Sequence, residues 1–165
     1  MSLAISAPEP IGTSHQIGDF NSGVVSLDEW LKRRALANQA SGAARTFVVC
    51  DADKVIGYYA LSSGAVQVAT ALGRFRRNMP DPIPVVLLAR LAVDRSYQGR
   101  SLGRAMLRDA ARRVVNAAEA IIRGILVHAI SDDAKAFYLA LGFEPSPIEP
   151  MTLMVTLTDI RKSLA

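Results

Sequence analysis

Residues 85–93, Val-Val-Leu-Leu-Ala-Arg-Leu-Ala-Val, are almost continuously apolar and rich in residues that suit a pleated strand. A run of this length predicts a central strand buried on both faces. A polar turn over 94–103 follows, carrying Gly99 and Gly103, and then a helical pattern over 104–118. In that pattern Leu107, Ala111, Val114, Val115 and Ala118 share a face, with Arg108 and Arg112 off it. Strand, turn and helix in this order leave N–H groups at the helix start free to meet a phosphate. The rest of the chain has to cover this unit or face it.

Upstream, residues 1–18 hold Pro8, Pro10 and two glycines and read as an extended lead-in with an edge strand near 15–17. Ser26 precedes Leu27, Asp28 and Glu29, which predicts an N-cap with Glu29 completing a capping box. Leu27, Trp30 and Leu31 give the apolar stripe of a helix running to about 39, with Trp30 in the core. Strands are expected over 45–50 and 55–68, joined by a hairpin turn at 51–54, with Gly57 and Gly64 as bulge points. Residues 69–77 read as a short helix or a loop. Pro80, Pro82 and Pro84 rule out regular helix after it. Downstream come a strand over 121–130, a helix over 132–141 capped by Ser131 and closed by Gly142, and a final alternating strand over 151–158. The sum is an α/β (α+β) layer, a mixed and mostly antiparallel twisted sheet flanked by helices.

At 165 residues the chain fits one domain, spanning 1–165. No apolar run reaches the length of a membrane span, and the N-terminus lacks the basic and apolar regions of a secretory signal. The single cysteine, Cys50, excludes an internal disulfide and fits the cytoplasm; it reads as a buried thiol. His15 and His128 lack ligand-like spacing, so no metal is expected. Charge is uneven: residues 71–113 hold ten Arg against three Asp, a balance of +7, and the remainder balances at −3. A basic centre in a slightly acidic frame suits a polyanion, either a phosphorylated cofactor or a nucleic acid.

The turn itself reads Gln98-Gly99-Arg100-Ser101-Leu102-Gly103-Arg104. It is neither a Walker loop, since no Gly-Lys-Ser/Thr follows, nor the Rossmann spacing. It resembles motif A of the GNAT N-acetyltransferases, Gln/Arg-x-x-Gly-x-Gly/Ala, with Ser101 in place of the first motif glycine. Ala134-Lys135-Ala136-Phe137-Tyr138-Leu139-Ala140-Leu141-Gly142-Phe143 is similar to that family's motif B. Residues 20–23 and 27–31, with 88–93 and 137–138, further resemble the GNAT toxins of bacterial toxin–antitoxin pairs, the TacT and AtaT type. That resemblance covers nearly the whole chain. It implies the GNAT fold, acetyl-CoA as donor, and the α-amine of aminoacyl-tRNA as acceptor, with translation blocked as the result. It also implies a ribbon-helix-helix antitoxin as partner and a homodimer.

Carried onto this sequence, the resemblance places the pantetheine arm and thioester on Leu91, Ala92 and Val93. It places the pyrophosphate on Gln98, Gly99, Arg100, Ser101, Leu102, Gly103 and Arg104, with Phe137 beside the cofactor. Tyr138 takes the family's position next to the thioester sulfur. With an ordinary pKa of about 10 it holds the proton that a leaving thiolate needs. Residues available for tRNA are Lys32, Arg33 and Arg34 on the first helix, Arg74, Arg76 and Arg77 before the proline segment, and Arg90 in the apolar strand, where burial demands a partner or a cleft. No carboxylate stands out as a base; Asp94, Asp132 and Asp133 read as loop and cap residues. Two other readings stay open: a GNAT acting on a small amine or a protein N-terminus, and a non-catalytic module that binds acyl-CoA or nucleic acid.

Overall fold

The computed structural model describes residues 5–67, 71, 73, 79–117 and 122–164. They form seven strands and five α-helices: β1 (Glu9–Pro10), α1 (Val25–Arg33), α2 (Ala35–Ser41), β2 (Arg45–Asp51), β3 (Lys54–Val66), β4 (Ile83–Val93), α3 (Leu102–Ala117), β5 (Gly124–His128), α4 (Asp132–Ala140), β6 (Glu144–Pro145), β7 (Thr152–Thr156) and α5 (Leu157–Leu164). Two compact units result, Met1–Ser62 with Ala89–Ala110, and Ser63–Leu88 with Ala111–Ala165. The α/β expectation holds.

In the first unit β1 pairs antiparallel with β2, and β2 with β3 in a hairpin turned at Ala52, whose φ is +55°. The ladder slips between Val49 and Cys50, opposite Gly57 and Val55, which is the bulge expected at Gly57. A close approach explains the glycine there. A Cβ on Gly57 would meet Met106 Sδ of α3 at 3.1 Å and its Cε at 3.2 Å. The core joins Phe20, Leu27, Leu31 and Ala35 to Val48, Cys50, Val55, Tyr58 and Ala92, with Trp30 packed against it.

The second unit holds the start of β4, parallel to β5 through Val86, Leu87 and Leu88 against Ile125, Leu126 and Val127. β5 pairs antiparallel with β7, and β7 with β6. Its core includes Val66, Ala71, Ile83, Val85, Leu126 and Met154. Ser131 caps α4, its hydroxyl accepting from the Ala134 N–H at 3.1 Å. Gly142, at φ +96°, closes the helix and lets the Phe143 N–H return to the Tyr138 carbonyl.

Several boundaries and devices differ from expectation. The first strand is Glu9–Pro10, while Gln16 makes only a single bridge to Lys54. Ser26 does not cap α1. The helix begins two residues earlier, with Val24 at the N-cap position and no side-chain cap. Asp28 turns back to accept from the Ser22 N–H and hydroxyl, and Glu29 pairs with Arg33 instead of completing a box. The helix expected to run to 39 breaks at Arg34 into α1 and α2. β4 is not buried on both faces. Ile83, Val85, Leu88 and Ala92 are buried, but Leu87, Leu91 and Val93 stay half-exposed, so apolar content overstated the cover. The last strand ends at Thr156, whose hydroxyl accepts from the Asp159 N–H and starts α5. Clean alternation is absent there: Leu153 and Met154, on opposite faces of β7, are both fully buried. Helix α3 starts at Leu102 and β5 spans only Gly124–His128; Ala118 and Ile121, at the expected edges of these elements, lie outside the described residues.

Candidate active site

The turn between β4 and α3 is held by polar pins. Asp94, 4% exposed, accepts from the Ser96 N–H at 2.9 Å and the Asn21 N–H at 3.0 Å, and its own N–H donates to the Ile56 carbonyl. This is the loop-and-cap role its position suggested. The Gln98 amide donates to the Val93 carbonyl (2.9 Å) and the Ser22 carbonyl (3.0 Å), so that part of its side chain is spent inside the turn. Tyr97 donates to Asp51 at the hairpin (2.6 Å), which pushes the phenol above its ordinary value because the bond serves the neutral form. The Arg100 guanidinium lies 5.3 Å from the Tyr97 ring centroid.

Backbone geometry at the turn suits an anion. Gly99 adopts φ +80° and Ser101 φ +63°, the left-handed region that favours glycine. Ser101 therefore adopts a conformation that a glycine at this motif position would take without strain. Its carbonyl accepts the first helical bond, from the Ala105 N–H. The N–H groups of Leu102, Gly103 and Arg104 precede that bond and have no acceptor within the helix. About half a positive charge from the helix dipole lies at that end. Arg100 and Arg104 are exposed beside it, and neither belongs to an ion pair found among the described residues.

Phe137, Tyr138 and Phe143 belong to the second unit. The Tyr138 ring packs edge-on to Phe137 (5.2 Å between centroids) and tilted against Phe143 (5.5 Å). The residue is 6% exposed, and burial pushes its pKa well above the ordinary tyrosine value. The chain has four tyrosines. Tyr58 donates to the Leu27 carbonyl, Tyr59 to Asp109 and Tyr97 to Asp51. Tyr138 alone has no hydrogen-bond partner among the described residues, and its hydroxyl is not among the sealed, unpaired polar atoms. It holds its proton firmly and has not spent it.

Of the basic residues, Lys32, Arg33 and Arg34 are exposed on α1 and its end, with Arg33 bonded to Glu29 at 2.6 Å. Arg74, Arg76 and Arg77 lie outside the described residues. Arg90 is half-buried, with its guanidinium carbon 5.2 Å from the Trp30 centroid and Nη1 donating to the Ala89 carbonyl.

One convergence was invisible in the sequence. Glu9, His15 and Cys50 each bring a ligand-type atom within 4.8 Å of the others. The imidazole is committed against a metal, however. The Gly12 N–H donates to Nδ1 at 2.9 Å, so the ring proton sits on Nε2 and donates to Glu9 Oε1 at 2.9 Å. A metal on Nε2 would strip the ring of its only proton, whereas ligating histidines normally donate from the other nitrogen. Cys50 is pushed up to about 11, first by burial and then by the charges of Glu9 and Asp53, so the thiol stays neutral. The His15–Glu9 bond ties β1 to the loop at His15, with the Cys50 thiol of β2 close by.

Each unit thus holds one of the two motif segments: a turn with two left-handed residues opening a helix after β4, and a buried tyrosine on the helix after β5. The chain belongs to the acetyltransferase (GNAT) domain family, whose model matches residues 42–145. It is 54% identical over 157 residues, 94% of this chain and 95% of the relative, to a protein of Mycobacterium tuberculosis (strain ATCC 25618 / H37Rv) described as a tRNA-acetylating toxin. Among solved structures, AtaT complexed with acetyl-methionyl-tRNAfMet superposes with TM-score 0.89 at 25% identity, covering 98% of this chain and 99% of that one. A tyrosine-to-phenylalanine mutant of AtaT bound to the C-terminus of the antitoxin AtaR and acetyl-CoA gives 0.84 at 25% identity, with the same coverage.

Proposed function

We propose that this protein is a toxin N-acetyltransferase, a single domain over 1–165, that moves acetyl from acetyl-CoA to the α-amine of the amino acid esterified to tRNA and so blocks translation. The likeness to a tRNA-acetylating toxin and to AtaT with acetylated tRNA supports the substrate class. The observation that carries the chemistry is the unspent hydroxyl of Tyr138. Acetyl-CoA supplies the activated acetyl group. The acceptor amine forms the new C–N bond as the C–S bond breaks, and Tyr138 gives its proton to the departing thiolate. The proton released by the amine returns to the phenolate through solvent. An aminoacyl ester's amine is weakly basic, so water suffices to deprotonate it and no carboxylate base is required.

The half-exposed face of β4 at Leu91 and Val93, with Ala92 between them, takes the pantetheine arm, with Phe137 beside it. The N–H groups of Leu102, Gly103 and Arg104 take the pyrophosphate, aided by Gly99, Arg100 and Ser101 and by a turn braced by Gln98. Lys32, Arg33, Arg34, Arg74, Arg76, Arg77 and Arg90 take the tRNA. The protein works in the cytoplasm as a homodimer and is silenced by a ribbon-helix-helix antitoxin; the AtaT–AtaR complex supports a toxin–antitoxin pairing. No helix among the described residues is long and apolar enough to cross a membrane.

Mass spectrometry of charged tRNA after incubation with isotopically labelled acetyl-CoA tests the proposal. An added labelled acetyl group on the esterified amino acid is expected. Unmodified tRNA alongside acetylation of free polyamines or peptide N-termini would assign the enzyme to another acceptor.

A further inference from the structure

Trp30 reads in the sequence as a core residue, and half of it is. Its ring stacks on Tyr58 at 5.9 Å with the planes 9° apart, and Phe20 meets Tyr58 edge-on at 5.6 Å. Trp30 is only partly buried, however, and Arg90 lies over its ring. Arg90 shares a face of β4 with Leu88 and Ala92, both buried, so a cation has been placed in an otherwise apolar row.

No carboxylate among the described residues balances that cation. It joins neither ion pair found among the described residues, and its one hydrogen bond there goes to the carbonyl of its own neighbour, Ala89. Asp28, on the same helix as Trp30, is spent on Ser22. A guanidinium held over an aromatic face has its charge partly balanced by the ring while its in-plane N–H donors remain available. Those donors match two oxygens of a phosphate. Arg90 also lies three residues before Val93, about 10 Å along an extended strand. That length is comparable with the distance from the α-amine, across the ester and ribose, to the phosphate of the terminal nucleotide.

We infer that the stack Tyr58–Trp30–Arg90 is a phosphate-binding subsite for the aminoacylated end of the acceptor, with Arg90 making the contact and Trp30 acting as its positioning residue. This rests on the aminoacyl-tRNA reading above. It separates Arg90 from the exposed arginines: those add charge, and this one is oriented.

Steady-state kinetics on charged tRNA test it, with Arg90→Ala, Arg90→Lys, Trp30→Leu and Trp30→Phe compared with wild type. Arg90→Ala should raise KM for charged tRNA about tenfold, with KM for acetyl-CoA held within twofold. The slope of log KM against log salt should fall by about one phosphate contact. On a phosphate-free aminoacyl ester the KM defect should shrink. Arg90→Lys should recover only part of the loss, because charge without the planar fork is not enough. Trp30→Leu should reproduce most of the Arg90→Ala defect and Trp30→Phe little of it, since an aromatic face remains. Thermal melting and acetyl-CoA KM report whether the Trp30 variants fold. An unchanged tRNA KM and salt slope in Arg90→Ala would overturn the subsite. Equal defects on charged tRNA and the phosphate-free ester would also overturn it. A folded Trp30→Leu with wild-type tRNA KM would remove Trp30 from it. Wild-type protein inactive on every charged tRNA would overturn the functional reading itself, which the variant ratios do not address.

Discussion

The turn at residues 94–104 and the helix carrying Tyr138 hold their functional atoms by opposite means. The turn is pinned by polar contacts: Asp94 to Asn21 and Ser96, Gln98 to Ser22 and Val93, Tyr97 to Asp51. Tyr138 is gripped by Phe137 and Phe143, and its hydroxyl has no hydrogen-bond partner among the described residues. The difference follows from what each must offer. Backbone N–H groups bind an anion only if the loop around them is rigid, and hydrogen bonds supply direction. A tyrosine already holds its proton at neutral pH at its ordinary pKa of about 10, so what the apolar sleeve supplies is a fixed ring position rather than a stronger acid.

The sharpest way to break this contrast is Tyr138→Phe. It removes the donor and leaves the sleeve, so turnover should fall by about 10²–10⁴-fold while acetyl-CoA affinity and melting temperature hold. Unchanged turnover would mean that the thiolate takes its proton elsewhere. The raised pKa has a defined sign. Below about pH 10 folded and unfolded chains both hold the Tyr138 proton; above it the unfolded chain ionises first, so stability should fall as pH rises further. Turnover in wild type should show no loss assignable to Tyr138 ionisation up to about pH 10, a point a pH–rate profile settles.

On the polar side, Asp94→Ala leaves the N–H groups of Asn21 and Ser96 without their acceptor. About 2–4 kcal/mol of stability should be lost in denaturant titration, and acetyl-CoA affinity with it. A variant as stable as wild type would show that the pins do not hold the turn. Gly57→Ala drives a Cβ into Met106 on the helix behind the turn and should cost about 1–3 kcal/mol. Adding Met106→Ala should recover part of that, because the clash is with a side chain. Ser101→Gly has the smallest effect and the opposite sign. Relief of a left-handed serine should add about 1 kcal/mol to the melting free energy without weakening acetyl-CoA binding. A loss of affinity would instead give the Ser101 hydroxyl a role on phosphate.

Much of this was legible along the chain. The strand–turn–helix, the Ser131 cap, the Gly142 stop and the position of Tyr138 are all local patterns, and the two motifs are contiguous words. What escaped was settled at a distance or by competition. Ser26 lost its capping role because Asp28 found Ser22 instead. Helix α5 hid behind an alternation that ran on past Thr156. The half-open face of β4 looked buried because apolar content does not say what covers a strand. The Glu9–His15–Cys50 convergence brings together residues up to 41 positions apart in the chain.

The sequence by itself determined the central strand–turn–helix, the capped helix after it and the family, because these depend on short-range periodicity and fixed spacing. The tertiary structure alone decided which tyrosine has no hydrogen-bond partner among the described residues, that Ser101 takes a left-handed backbone conformation, and that Arg90 rests on Trp30. Those outcomes depend on which donors and acceptors, far apart along the chain, reach each other first, and no local pattern records that.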